Sequence, residues 1–167
     1  FWNVLKTQHV KPGKGGAFAQ VEMKSVGKNT KLNERFRSSE TVEKAALEET
    51  NFNYLYEDEN NYIFINPKSF EQIEIKKNIV GEKGKLMTEN LEVLVSFYND
   101  KPILIELPNQ VKSKIKTTDV ALKGQTVSSS YKPATLDNGL NIQVPPFIES
   151  GDEIVVDTRS FEYIRKI

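Results

Sequence analysis

Apolar and polar residues alternate along most of the chain, and no segment offers a long amphipathic helix, so the predicted elements are strands. Trp2, Val4 and Leu5 read as one strand, and Phe18, Val21, Met23 and Val26 as the next. Lys11-Pro12-Gly13-Lys14-Gly15-Gly16 between them reads as a tight hairpin tip: proline presets φ and the glycines permit positive φ. Thr30 to Phe36 alternates as a third strand, and the polar stretch Arg37 to Thr41 then leads to a boundary at Ala45. The chain opens inside a predicted strand at Phe1-Trp2, and an initial strand region is expected to precede it.

Residues 46–108 repeat the pattern with aromatic-rich runs. Asn53 to Tyr56 and Tyr62 to Asn66 flank an acidic turn, Ser69 to Ile75 adds a strand, and residues 77–89 hold a short helix or 3₁₀ turn. Leu91 to Tyr98 and Ile103 to Leu107 make a hairpin about Asn99-Asp100-Lys101-Pro102, with Val93, Val95 and Phe97 facing Ile103, Ile105 and Leu107. Five strands with a small helical interruption fit a barrel of the OB type. Pro108-Asn109 reads as a joint, and residues 109–167 predict a second such barrel with no convincing sequence repeat of the first. The expected fold is therefore all-β, three small barrels spanning 1–45, 46–108 and 109–167.

Composition narrows the chemistry. The 167 residues contain no cysteine, which excludes disulfides and thiolate zinc sites. The single histidine, His9, leaves histidine metal sites and Ser-His-Asp catalysis without their residues, and it reads as a hairpin residue near the tip. Paired carboxylates such as Glu48-Glu49 and Asp152-Glu153 sit beside turns, as solvated surface does. No apolar run approaches membrane-spanning length. The formal net charge of zero is unevenly spread: residues 1–45 carry nine Lys/Arg against four Asp/Glu, and residues 46–108 carry six against twelve. A basic first third suits a phosphate backbone, which the acidic middle would repel. Lys14, held between glycines, stands where no neighbouring side chain crowds it. The stretch is not a P-loop, because the second glycine, lysine and Ser/Thr do not follow at the required spacing.

Three stretches resemble the bacterial translation elongation factor P family. Lys11-Pro12-Gly13-Lys14-Gly15-Gly16-Ala17-Phe18 resembles its apex loop, and Asn53-Tyr54-Leu55-Tyr56 with Phe70-Glu71-Gln72 resembles its second domain. Most specific is Lys132 to Gly151, which fits K-x-A-x(4)-G-x(2)-I-x-V-P-x(2)-I-x(2)-G at every fixed position, and Val156 to Tyr163 is similar as well. The resemblance implies a KOW-type (SH3-like) first barrel followed by two OB-folds, in a cytoplasmic, monomeric, non-enzymatic protein with no membrane contact and no cofactor or metal. It implies binding to the ribosome, to peptidyl-tRNA and to ribosomal RNA, and stimulation of peptide-bond formation at consecutive prolines.

On that resemblance Lys14 is the modified lysine, β-lysylated by a dedicated ligase, with Pro12, Gly13, Gly15 and Gly16 shaping its loop. Lys6, Lys11, Lys24, Lys28 and Lys31 would grip the acceptor stem, and Tyr163 with Arg165 or Lys166 would contact tRNA backbone. The loop from Gly124 to Tyr131 would approach the exit-site codon, although it departs from the family's glycine-rich pattern. An elongation-factor-P-like paralogue would share this layout. A general single-stranded nucleic-acid binder built from OB-folds would need basic barrels, which residues 46–108 do not supply. Initiation factor five-A shares the apex lysine but has two domains.

Overall fold

A computed structural model describes residues 1–28, 30–121 and 130–167. Its strands fall into three antiparallel sheets. The first joins β1 (Trp2–Val10), β2 (Phe18–Ser25) and β3 (Lys31–Arg37) in that order. The second holds β4 (Glu48–Glu57), β5 (Asn61–Ile65), β6 (Gln72–Lys76), β7 (Glu92–Tyr98) and β8 (Lys101–Glu106), ordered β6-β5-β4-β7-β8. The third holds β9 (Gln110–Thr118), β10 (Lys132–Leu136), β11 (Asn141–Val144), β12 (Glu153–Asp157) and β13 (Tyr163–Lys166), ordered β11-β10-β9-β12-β13. The last two sheets share one topology, in which the first strand is central and pairs with the second and the fourth. That is the arrangement of a partly open OB barrel. The expected all-β architecture is what the structure shows.

The two five-stranded units close differently. A four-residue helix α1 (Lys77–Val80) packs between the edge strands β6 and β8, and a 3₁₀ turn follows at Glu82–Leu86. In the third unit the edge strands β11 and β13 approach each other directly. Phe64, Ile75, Val95 and Ile105 lie at the centre of the second core, and Leu136, Val144, Ile148 and Val156 at the centre of the third. The cores share a seam: Leu86 from the 3₁₀ turn joins the third core, while Leu91 and Leu107 touch both. Thr158 clamps the joint, donating its hydroxyl to the Pro108 carbonyl at 2.6 Å and its amide to that of Asn109 at 2.9 Å.

Two details differ from the sequence pattern. The β7–β8 turn contains only Asn99 and Asp100, both at positive φ (46° and 62°), as a type I′ hairpin requires. Pro102 therefore lies within β8, where an edge strand tolerates its missing amide. The second difference is a short repeat. Asn66-Pro67-Lys68-Ser69-Phe70-Glu71 and Asp157-Thr158-Arg159-Ser160-Phe161-Glu162 fold into the same turn. In each, the Asn or Asp side chain accepts two backbone N–H bonds, its backbone pairs with the Phe and Glu at 2.8–2.9 Å, and the Phe takes φ 60°.

Candidate nucleic-acid interface

The first sheet differs from the other two in having almost nothing to bury. Met23 is its one buried hydrophobic residue among those described, and Phe1, Trp2, Val4, Leu5 and Leu32 are exposed. What the sheet does well is project a loop. The β1–β2 ladder runs from Trp2 opposite Ser25 to Val10 opposite Phe18, leaving seven residues, 11–17, beyond the last pair. The tip is thus longer than a tight turn. Residues 11–16 are all exposed, Lys14 among them.

Its glycines are not equivalent. Gly15 sits at φ 120°, where an L side chain is strained. Gly13 and Gly16 have φ outside that region, and a Cβ added at either would meet nothing within 4 Å. Within the loop, backbone conformation therefore demands glycine only at position 15. At 13 and 16 the absence of a side chain leaves the backbone open to close approach from outside.

The register divides the basic residues into two ends. Arg37 pairs with Phe18 and Arg35 with Gln20, so both arginines stand on β3 at the root of the loop, across β2 from the strand that Lys11 continues. Lys24 pairs with Asn3 and Lys31, six residues along β2 from Phe18, which is roughly 20 Å at about 3.3 Å per residue. Lys28 lies in the exposed turn beyond it. Lys6 sits between, opposite Glu22, and Lys31 makes a 3.8 Å ion pair with Glu22. The structure thus groups Lys11 and Lys14 and sets Lys24, Lys28 and Lys31 at the far end. Sequence reasoning missed Arg35 and Arg37, whose signal was their spacing of two on a strand that pairs with the loop's own.

Lys24 also has a junction role. It lies near Lys83 of the 3₁₀ turn, which donates to the Ile105 carbonyl at 2.5 Å. Burial pushes the Lys83 ammonium below its usual range; Glu106 opposes that and Lys24 adds to it. Across the same junction the Phe1 and Tyr98 rings meet edge-on at 4.8 Å.

In the third unit Tyr163 is half-buried, packs against the core, and meets Tyr131 edge-on at 6.4 Å. Lys166 is held by Asp152 at 2.7 Å, an ion pair that keeps the Asp152 carboxyl below its ordinary range. Arg165 is exposed on β13, opposite Val155. Of the loop from Gly124 to Tyr131, positions 124–129 lie outside the described residues. Among the described residues no three His, Cys, Asp or Glu side chains cluster as a metal site, and no helix is long and apolar enough to cross a membrane.

Comparison with known proteins places all three units in one family. Residues 1–42 match the elongation factor P KOW-like domain, residues 47–105 its OB domain, and residues 111–166 its C-terminal domain. The chain is 78% identical over 166 residues to elongation factor P of Pelagibacter ubique, covering 99% of this chain and 89% of that protein. It is 51% identical over 165 residues to the Bartonella henselae protein of the same name, covering 99% and 86%. Among solved structures it is similar to eukaryotic translation initiation factor 5A from Methanococcus jannaschii, at 17% identity and a TM-score of 0.49 over 64% of this chain and 77% of that one.

Proposed function

The chain belongs to the elongation factor P family and is a translation elongation factor; from that premise we propose that it binds the ribosome beside peptidyl-tRNA and speeds peptide-bond formation at consecutive prolines through Lys14. The observation that carries this reading is the projecting loop: an exposed lysine, with two flanking glycines that the chain's own packing does not require. A backbone left bare on both sides of a cation is suited to lie against RNA.

The chemistry calls for positioning and no proton transfer. Proline's nitrogen is secondary and its φ is fixed, so a prolyl peptide end aligns poorly and a prolyl acceptor attacks slowly. Reaction rates depend steeply on holding the reacting atoms in a near-attack geometry. A cationic arm that steadies the terminal nucleotides of the tRNA restores alignment from outside the reacting centre. Lysine alone is short; a β-lysyl group attached to Lys14 by a ligase roughly doubles its reach and keeps a positive charge available to phosphates. Lys6 and Lys11 extend the positive field along the hairpin. Lys24, Lys28 and Lys31 would meet RNA at the far end of the sheet, and Tyr163, Arg165 and Lys166 on the third unit. We infer a monomer acting in the cytoplasm without a cofactor.

Sedimentation with ribosomes tests the reading. The protein should co-pellet with ribosomes holding a peptidyl-tRNA that ends in proline, and intact-mass analysis of natively produced protein should find one added lysyl group, localised to Lys14. Failure to associate with such ribosomes would overturn the function. A native mass equal to that of the bare chain would overturn the modification alone.

A further inference from the structure

A cleft of about 550 Å³ opens at the root of the arm, between the loop's base at Gly16 and Ala17 and the end of β3. Its polar lining is Arg35, Arg37, Ser38, Ser39 and Glu40, with Phe18 as its apolar wall. We propose that this cleft binds the phosphodiester backbone of RNA, with Arg35 and Arg37 as its paired anion ligands.

Arg35 is held ready for that task. Its guanidinium carbon stands 4.1 Å from the centroid of the Phe18 ring, a cation–π contact that holds the head group at the cleft's apolar wall. A ring face accepts the charge of a guanidinium without using up its five N–H donors. Arg37 is held by its backbone. Its amide donates to Glu40 Oε2 at 2.7 Å, while the Glu40 amide donates to the Arg37 carbonyl at 3.0 Å. The Ser38 amide donates to the Ala17 carbonyl at 3.2 Å and pins the turn to the base of the arm. Ser38 and Ser39, in the turn so pinned, line the same cleft.

The charge balance points to an anion. Among the described residues neither guanidinium has a carboxylate within ion-pair distance, although Lys31, Lys77, Arg159 and Lys166 all do. Glu40 is the one acid lining the cleft, and its carboxylate is engaged by the Arg37 amide. Two exposed arginines without an ion pair among the described residues, on a strand whose far-end lysine has one, form a local excess of positive charge. Guanidinium forks match phosphate oxygens two by two, and serine hydroxyls complete such a contact. The basic first third of the chain and the cleft's continuity with the arm favour RNA over an acidic protein surface.

The inference rests on ribosome binding as proposed above, and the test separates the two. Affinity of the labelled full-length protein is measured over a salt series, on vacant ribosomes and on ribosomes carrying peptidyl-tRNA. Arg35→Gln and Arg37→Gln should each weaken binding about tenfold, as loss of a charge-assisted contact does. Each should also make the slope of log K against log salt shallower by about 0.7–0.9, with the double variant summing the two. Arg37→Lys keeps the charge and should keep the slope. A loss confined to ribosomes with tRNA assigns the backbone to tRNA, and a loss on both assigns it to ribosomal RNA; either supports the cleft. Lost affinity at an unchanged slope would mean a protein partner, and unchanged affinity in the double variant would mean no ligand; each overturns the proposal. Should Arg35→Gln lower the urea midpoint by loosening Phe18, Arg37→Gln decides alone, because among the described residues the Arg37 side chain makes no hydrogen bond or ion pair. Absence of binding by the unsubstituted protein defeats the function itself, whereas binding that ignores both arginines defeats only the cleft.

Discussion

Gly84 is the position where the smallest added group should cost the most. It is buried in the 3₁₀ turn, and a Cβ placed there would lie 2.6 Å from Cε2, Cζ and Oη of Tyr62. Ordinary carbon contacts stand at about 3.5–4.0 Å, so the methyl group intrudes by about 1 Å. The ring cannot simply turn aside. Tyr62 is 6% exposed, meets the Tyr54 ring edge-on at 6.0 Å, and has Lys77 Nζ 5.4 Å from its centroid. Overpacking of this kind costs about 1–3 kcal/mol. Alanine also stiffens the unfolded chain, which returns about 0.4–1 kcal/mol. The steric term wins, leaving Gly84→Ala destabilised by about 1–2 kcal/mol, or a melting temperature lower by about 2–8 °C for a chain of this size. Urea unfolding followed through tyrosine near-ultraviolet dichroism weights this unit, which holds Tyr54, Tyr56, Tyr62 and Tyr98 of the six tyrosines, and the lone tryptophan, Trp2, belongs to the first sheet. In a Tyr62→Leu background the same substitution should cost markedly less. An unchanged midpoint, or an equal cost in both backgrounds, would refute the argument.

Further expectations concern the repeated turns and acid stability. Phe70 is 73% exposed at φ 60°, so Phe70→Gly relieves backbone strain and loses little burial; its unfolding free energy from urea titration should hold or rise by up to about 1 kcal/mol. Phe161 has the same φ but packs against the third core, so Phe161→Gly should be less favourable than Phe70→Gly by about 1 kcal/mol, and a reversed order would contradict the packing. Asp157 is held down to about 2, chiefly by the Arg159 side chain and then by backbone amides. Its folded-state value lies below the unfolded one, so it contributes stability above pH about 4 that is lost as pH falls toward about 2. Asp157→Asn should flatten the urea midpoint across that window, and an unaltered acid limb would show that the ion pair contributes nothing there.

Much of the architecture was legible because alternation at a period of two reports which face of a strand is buried. Val93, Val95 and Ile105 face inward as their spacing required. The signature from Lys132 to Gly151 was equally legible, and the structure explains its specificity as packing: Ala134, Ile142, Val144 and Ile148 are all core. The motif most telling for family is therefore informative about the third barrel and silent about the arm. Turn geometry was harder to read. Pro102 looked like a breaker, and only the positive φ values at Asn99 and Asp100 reveal that two residues suffice. The site was half visible. Lys14 announced itself through its glycines, but Arg35 and Arg37 join it through strand register, a non-local pairing that linear spacing does not express.

Lys14, the exposed lysine at the tip of the hairpin, is the residue we propose to act on the ribosome. Synthesis of a peptide containing Pro-Pro-Pro in a reconstituted translation system, with the modified protein and its Lys14→Ala variant compared at matched ribosome occupancy, tests it most directly. The expected result is stalled synthesis with the variant and relief with the modified protein, both having the same unfolding midpoint. Equal relief by the two proteins would contradict it.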